Sequence, residues 1–300
     1  MRRWGLGWGT LIAAGMLAVA VLAVATAPLY APQDPFNLAS LRLLDSLDPP
    51  SFLHGGVKKF PLGTDAQGRD LLSAILYGAR LSFMVGGLAV VLAAVVGVPI
   101  GLAAGYAGGA LDAVLMRLAD AQLAIPSMLV ALLADGVARS VLRRSLLEAA
   151  SVPILVIAIG LARWPHFARV VRGVAQLEGG KDYIAAARLA GISWFDAALD
   201  HVLPNVIGPA LVMFALTLGF AVMDEATLSF LGVGLPPTRP SLGTLIRLGN
   251  DYLLSGEWWV VVFPALALAI PVLAANLLGD TIRDRLDPRG HGRQIAQGRA

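Results

Sequence analysis

Long apolar runs without a charged residue dominate the pattern along this chain. Four such runs cover residues 4–33, 81–111, 202–223 and 258–279. A helix needs about 20 mostly apolar residues to cross the hydrocarbon core of a bilayer. Each run therefore predicts one membrane-spanning helix.

Two shorter apolar runs, 121–134 and 149–162, leave the number of spans open. Each is 14 residues long between charged residues, which is short for a span. Charged side chains at helix ends can reach the interface, so both runs remain candidates. Because the two runs are adjacent, both cross or neither does, and the chain has six spans or four.

The composition supports a membrane protein and excludes several other classes. Hydrophobic residues make up 57% of the chain and charged residues 14%, against about 25% charged in soluble domains. The chain has no cysteine, which excludes disulfides and Cys-ligated metal sites. The apolar composition implies membrane lipid as a partner, and the net charge of +3, spread along the chain, gives no basic patch for nucleic acid.

The distribution of basic residues predicts the orientation. With six spans, 13 of the 23 Lys and Arg residues lie on the side of the termini, and with four spans 16 do. Cytoplasmic segments carry the excess of Lys and Arg. Both counts place the termini and the loop 164–205 in the cytoplasm, although charge alone favours four spans.

The first apolar run also has features of a signal peptide. Arg2 and Arg3 precede it, and residues 23–25 resemble a cleavage site. The uncharged run is long for a signal peptide, so we expect a retained span.

The polar segments between the runs predict loops and short helices. The first external segment, 31–80, is proline-rich, with a short helix near 41–47 and an amphipathic lead-in at 70–80. The remaining predicted segments are a cytoplasmic turn at 105–120, external segments at 135–150 and 232–257, a cytoplasmic loop at 163–205, and a polar tail from Asp280.

The loop 163–205 contains a predicted pair of short helices. Asp182 starts the first, where the helix dipole favours an acid, and Gly191 can end it in a left-handed conformation. A capping-box pattern at Ser193 starts the second, which runs to Leu203 and meets Pro204. Such a hairpin either rests on lipid headgroups or docks on a partner.

At this loop the sequence resembles the permease family of ABC importers. The family's EAA motif consists of a small-residue triplet, a glycine and a closing Leu-Pro. The matching residues here are Ala185, Ala186, Ala187, Gly191, Leu203 and Pro204. The glutamate of the motif is replaced by Ala185, while the spacing is intact.

Further stretches resemble the dipeptide, oligopeptide and nickel permeases, most closely the second of the two paired permeases. They are residues 62–65, 68–70, 77–80, 104–120, 225–232 and 276–289, and the likeness covers roughly residues 10–290. Ala74, Leu242 and the charged stretch 135–148 depart from the pattern of that branch.

The resemblance implies an all-α integral membrane protein of the bacterial cytoplasmic membrane. Six transmembrane helices are expected, with a cytoplasmic coupling helix between helices four and five. The implied domains are 1–80, an N-terminal helix with the external segment; 81–290, the permease core; and 291–300, a cytoplasmic tail. These expectations favour six spans over the four preferred by charge.

The resemblance also implies partners and site residues. A second, homologous permease chain, two ATPase subunits and an extracytoplasmic substrate-binding protein are expected, with ATP and Mg held by the ATPase and no cofactor bound by this chain. Transport of peptides is implied, with nickel complexes, opines or other small solutes as alternatives. The residues implied in coupling to the ATPase are Asp182, Tyr183, Ala186, Ala187, Gly191, Leu203 and Pro204.

Two further sets of charged residues are each compatible with two roles. Asp224 and Glu225 lie near the outer end of the fifth predicted span, where they either line an outer gate or substrate path or cap a helix at the interface. Asp65, Arg69, Asp70 and Arg80 form either a contact surface or, as we favour, an internal salt-bridge cluster.

Catalytic and metal sites find little support in the sequence. Residues 179–182 fail as a phosphate loop, and the four histidines lack metal-ligand spacing. An intramembrane enzyme would need His201 and Ser229 together, yet a span separates them by about 30 Å. A passive channel would have no use for the motif at 185–204, so we predict a transport subunit without catalytic residues.

Overall fold

The structure, a computed structural model, describes residues 8–37 and 41–286. Arg2, Arg3 and the predicted tail 291–300 lie outside the described residues, as do 287–289 of the family-like ending. Within the described ranges the α-helices are α1 Trp8–Tyr30, α2 Leu71–Ala107, α3 Gly109–Leu123, α4 Ser127–Val141, α5 Arg144–Gly179, α6 Asp182–Leu189, α7 Trp194–Asp196, α8 Leu203–Phe230, α9 Leu242–Asn250 and α10 Trp259–Leu286.

Five described helical stretches are long and apolar enough to cross a membrane. They are Gly9–Tyr30, Leu71–Ala107, Ala150–Gly179, Trp194–Phe230 and Trp259–Thr281. A sixth crossing requires α3 and α4 together, which are bent by 86° at a short break. The predicted run 121–134 is therefore not one helix. Pro126 lies in the break, where its missing N–H disfavours continuation of α3.

The packing of α2 against α5 settles whether the bent pair crosses. Gly97, Gly101 and Gly105 of α2 lie against Phe167, Val171 and Ala175 of α5, in that order. The contacting positions rise together along both helices, so α2 and α5 are parallel. Small residues on α2 allow this close approach.

Because α2 and α5 are parallel, the segment that connects them, α3 with α4, must return across the bundle. Asp112 at the start of α3 pairs with Arg172, while Gln122 at its end accepts a hydrogen bond from Trp164. The chain thus runs back along α5, and Asp135 of α4 shares a cavity with Ser151 near the start of α5. The bent pair α3–α4 makes the return crossing, which gives six crossings, the upper of the two counts that helix length and composition allow.

The fourth crossing is much longer than its apolar run predicted. We expected a span at 149–162 and a loop from 163, yet α5 continues through Pro165 to Gly179. Three arginines that suggested a loop are paired with distant carboxylates, at N–O distances of 2.5–2.7 Å: Arg163 with Asp224, Arg169 with Asp120 and Arg172 with Asp112. The prediction of a loop at 163–179 was wrong because these partners lie elsewhere in the chain.

The predicted cytoplasmic turn at 105–120 was also wrong in extent. α2 continues to Ala107 and α3 begins at Gly109, so the turn is concentrated at Gly108. Gly108 has a φ of 65°, in the left-handed region that glycine adopts without steric cost.

The segment between α1 and α2 is largely irregular and is pinned by a few polar contacts. Its short 3₁₀-helix, Leu43–Asp45, falls where a short helix was predicted. Asp70 caps α2 by accepting a hydrogen bond from the backbone N–H of Ser73 at 2.8 Å. The lead-in at 70–80 is thus continuous with α2, and the domain boundary expected at 80/81 falls inside that helix.

The charged residues of this segment serve the protein's own packing. Arg69 and Asp65 are buried and form an ion pair at 2.6 Å. Arg69 also donates to the carbonyl of Pro237 at 3.3 Å, which ties the segment to the loop after α8. Arg80 is exposed and lies outside this cluster, so three of the four residues have the internal role that we favoured.

The core divides into three apolar clusters along the bundle. A central cluster joins α2, α5 and α8 and includes Val85, Leu155 and Ala221. A second lies at the end that carries α6, and a third lies at the end that carries α9. We refer to these ends of the bundle as the α6 end and the α9 end.

Candidate functional site

The short helix α6 forms where the sequence predicted it. It covers Asp182–Leu189, directly after α5. Gly191 has a φ of +86°, as expected for a left-handed cap. The N–H of Ile192 donates to the carbonyl of Ala187 at 3.2 Å, which closes the helix end.

The two faces of α6 differ sharply in burial. Ile184 is fully buried in the cluster at the α6 end. The opposite face is exposed and follows the helical spacing i, i+3, i+4, i+7. This outer face of α6 consists of Asp182, Ala185, Ala186 and Leu189. Leu189 is 91% exposed, so the protomer leaves a large apolar side chain uncovered beside the alanines.

The predicted coupling residues therefore do not all lie on one face of the helix. Asp182 and Ala186 lie on the outer face, whereas Ala187 is half-buried on the inward side. Consecutive helical residues point about 100° apart, so the alanine triplet cannot present all of its members. Leu189 was not predicted, although the 3.6-residue period contains the signal for it.

Tyr183 braces α6 against its two neighbouring helices. Its hydroxyl donates to Glu178 of α5 at 2.8 Å and accepts from Asn205 of α8 at 3.4 Å. Lys181 also contacts Glu178 at 2.6 Å. Burial, followed by the Glu178 carboxylate, raises the pKa of Tyr183 above its usual value, so the phenol stays a neutral hydrogen-bond donor.

A second brace connects α6 to α2. Arg188 stacks over the ring of Tyr106 at 5.0 Å and donates to its hydroxyl at 3.3 Å. Trp194 lies against the same ring, with centroids 4.9 Å apart. Tyr106 thus holds both short helices of the loop, a role that its sequence position near the end of an apolar run did not indicate.

The second helix of the loop starts as predicted but does not end at Pro204. Ser193 accepts from the N–H of Asp196 at 3.1 Å and caps α7. Helix then continues from Trp194 to Phe230 through a π-helical stretch at Ala197–Val202. The predicted stop was wrong because Pro204 lies in the first turn of α8, and the wider π turn accommodates its ring. Leu203 is half-buried and Pro204 exposed.

Asp224 and Glu225 have different environments despite being adjacent. Glu225 is fully buried and accepts from Ser229 at 2.7 Å. The second carboxylate oxygen of Glu225, Oε2, is buried without a hydrogen-bond partner among the described residues. Asp224 faces α5, where Arg163 contacts it through Nε at 2.8 Å and a terminal nitrogen at 2.7 Å.

The structure also bears on the phosphate-loop candidate at 179–182 and on metal sites. Gly179 ends α5 and Asp182 is the first residue of α6, so residues 179–182 form a helix-to-helix turn. Across the described ranges 8–37 and 41–286, no group of three His, Cys, Asp or Glu side chains is arranged to hold a metal ion.

Six crossings and a short, partly uncovered helix between the fourth and fifth define a multi-pass membrane protein. Residues 97–291 match the model of the family described as binding-protein-dependent transport system inner membrane component. The chain belongs to this family, and it is a multi-pass component of an inner membrane transport system.

Similar transport proteins from other bacteria align with most of the chain. The di/tripeptide transport system permease protein DppC of Pseudomonas aeruginosa is 39% identical over 268 residues, which cover 88% of this chain and 82% of the relative. The dipeptide transport system permease proteins DppC of Haemophilus influenzae and Escherichia coli are 36% and 39% identical. The alignments cover 94% and 91% of this chain, and 90% and 85% of those relatives.

Proposed function

We propose that this chain is a permease subunit of an ATP-driven importer of short peptides. Support comes from the names of relatives that are 36–39% identical and aligned over 88–94% of the chain. A separate ATPase supplies the energy, and it, not this chain, holds ATP and Mg. A soluble binding protein delivers the peptide, and a second permease chain completes the path.

The outer face of α6 is the surface that docks on the ATPase. The observation that carries this proposal is the contrast between a fully buried Ile184 and a Leu189 that is 91% exposed. An apolar side chain at the tip of a braced helix, beside small alanines, suits insertion into a groove of a partner. Asp182 and Ala186 share this face.

The remaining predicted residues position α6 for this contact. Tyr183 connects it to α5 and α8, and Arg188, which was not among the predicted residues, connects it to α2. Gly191 makes the sharp turn into α7, and Leu203 with Pro204 starts α8. Movement of the ATPase against α6 is thereby transmitted to the membrane helices, which is how nucleotide would bias a two-state transporter.

Orientation follows from this assignment, with the α6 end and both termini in the cytoplasm. The chain has no cysteine, so single cysteines report their side without background. Leu189 and Leu254 are 91% and 99% exposed at the α6 and α9 ends. A membrane-impermeant maleimide on intact cells should label Leu254→Cys and spare Leu189→Cys, and the reverse pattern would invert the topology.

Reconstitution with its co-purifying partners tests the function. The tagged chain is isolated in mild detergent, its partners are identified by mass spectrometry, and the assembly is placed in liposomes with the binding protein. We expect an ATPase and a second permease, with ATP-dependent dipeptide uptake. ATP-dependent uptake of nickel complexes or opines, without peptides, would overturn the substrate, and isolation as a lone homo-oligomer would overturn the importer.

A further inference from the structure

The ion pair between Arg163 and Asp224 lies within the apolar depth of the bundle. Asp224 is two residues from Val222, which packs on Gly86 of α2, and Arg163 precedes Trp164, whose carbonyl lies against Gly97. Both α2 positions fall inside its charge-free run 81–111. Charged residues at such depth are costly and face a bundle interior, a partner or a water-filled cavity.

The pair is not sealed inside this protomer. The side chains of Arg163 and Asp224 are 13% and 19% exposed. Arg163 also stacks on Phe220, whose ring is itself exposed. Lipid is a poor environment for this uncovered surface, so water or the second permease must cover it.

An unsatisfied polar atom lies beside the pair. His166 follows Arg163 by one turn of α5, and its Nδ1 is buried without a hydrogen-bond partner among the described residues. The site thus presents a cation and an anion on one partly exposed surface, with a buried imidazole beside them. The cation and the anion match the carboxylate and the ammonium group of a short peptide.

The two helices that carry the pair are also those that α6 connects. α5 leads into α6, and α7 with α8 leads out of it. A displacement of α6 would therefore act on both helices, and an altered spacing between them would separate the two charges, which are in contact in the structure.

We propose that Arg163 and Asp224 form a charge-balanced peptide subsite on the translocation path. This inference rests on the peptide function proposed above. The two groups exchange their mutual contact for the charged ends of the passing peptide. While paired, they leave the path without a net charge, so that peptides with acidic or basic side chains pass at similar rates. Glu225, by contrast, has the internal role described above.

The test is uptake of three dipeptides, one neutral, one acidic and one basic, in proteoliposomes holding the complete transporter and its binding protein. Asp224→Asn leaves Arg163 unpaired and should lower uptake of the basic peptide relative to the neutral one. Arg163→Gln leaves Asp224 unpaired and should lower the acidic peptide instead. In each variant the ratio of charged to neutral peptide uptake should fall about fivefold, as expected for a unit charge acting over about 8 Å in a partly hydrated site.

Two controls separate charge from structure. The double variant Arg163→Asp with Asp224→Arg restores neutrality and should return both ratios towards the original values. Asp112→Asn and Arg172→Gln disrupt a similar pair between α3 and α5 and should leave both ratios unchanged. Because the binding protein is the same throughout, its preferences cancel when the uptake ratio of a variant is compared with that of the unmodified transporter.

The outcomes distinguish this inference from the proposed function. Equal loss of all three peptides in Asp224→Asn and Arg163→Gln, with unchanged ratios, would overturn the subsite and leave a structural ion pair. Absence of ATP-dependent peptide uptake by the unmodified transporter would instead overturn the peptide function on which the subsite rests.

Discussion

Two short helices outside the spans, α6 and α9, lie at opposite ends of the bundle and differ in what covers them. α6 has eight residues, of which Ile184 is buried. α9 has nine, and its buried residues are Leu242, Gly243, Thr244, Leu245 and Gly249. α9 is packed into its own protomer. α6 is held by a few side-chain contacts, and its outer face is exposed.

The difference supports the proposal that the α6 end is the one that contacts the ATPase. α9 packs on α2 and α8, with the N–H of Leu242 donating to Ser82 at 3.2 Å. Its apolar residues are used internally, so substitutions there should act on folding. α6 leaves Leu189 and two alanines uncovered, so substitutions there should act on transport while the fold persists.

The largest effect is expected at Gly243 of α9. A Cβ at this position would meet the backbone of Ala226, which cannot move aside. Gly243→Val should destabilise the protein by about 3 kcal/mol and sharply reduce the folded protein recovered from membranes. Gly87→Val is the matched control, since a Cβ there meets nothing within 4 Å. Equal recovery of both variants would contradict the packing of α9.

On α6, a bulky side chain should spare folding and abolish coupling. Ala186→Trp should weaken ATPase docking by about 2 kcal/mol, roughly 30-fold, with normal recovery and thermal stability. Co-purification of the ATPase and peptide uptake measure the effect. Ala186→Ser keeps the side chain small and should retain both, and normal uptake by Ala186→Trp would remove the outer face from the interface.

Gly191 tests whether the turn after α6 matters. Valine at its φ of +86° should cost about 1–2 kcal/mol of local strain and tilt α6, which lowers uptake about tenfold. Gly256 at the α9 end also has a positive φ with open space around it. Gly256→Val should therefore carry similar strain with near-normal uptake, and matching losses in both variants would indicate general destabilisation.

Tyr106 tests the brace between α6 and α2. Tyr106→Ala removes the contacts with Arg188 and Trp194, so ATP hydrolysis should continue while uptake per ATP falls about fivefold for the loss of about 1 kcal/mol of coupling. Tyr106→Phe keeps both ring contacts and should lose much less. A parallel fall of hydrolysis and uptake in Tyr106→Ala would contradict a role in transmission.

The smallest effect is expected at Tyr183. Tyr183→Phe keeps the ring and removes the hydrogen bonds to Glu178 and Asn205, worth about 1 kcal/mol in total. A small decrease in thermal stability with nearly normal uptake should result. Complete loss of uptake in this variant would show that the hydroxyl contacts the ATPase directly.

Local signals in the sequence predicted the loop helices well. The acid at Asp182, the glycine at Gly191 and the cap at Ser193 act within a few residues, and the structure confirms α6, the left-handed turn and the start of α7. The long apolar runs likewise predicted the spans, because membrane insertion depends on the composition of each segment.

Contacts between distant segments account for what was missed. The extension of α5 depends on carboxylates of α3 and α8 that pair with its arginines. The division between Asp224 and Glu225 likewise depends on which helices surround them. Two adjacent acids carry no local signal that one meets Arg163 and the other is buried beside Ser229.

The most direct test of α6 as the docking helix is site-specific crosslinking in membranes. Leu189→Cys and Leu254→Cys, introduced separately into the cysteine-free chain, are treated with a short thiol-to-amine crosslinker in the presence of the co-expressed ATPase. We expect a crosslinked product with the ATPase from position 189 and none from position 254. A product from 254 alone, or none from either while the ATPase still co-purifies, would contradict the assignment of α6 as the docking helix.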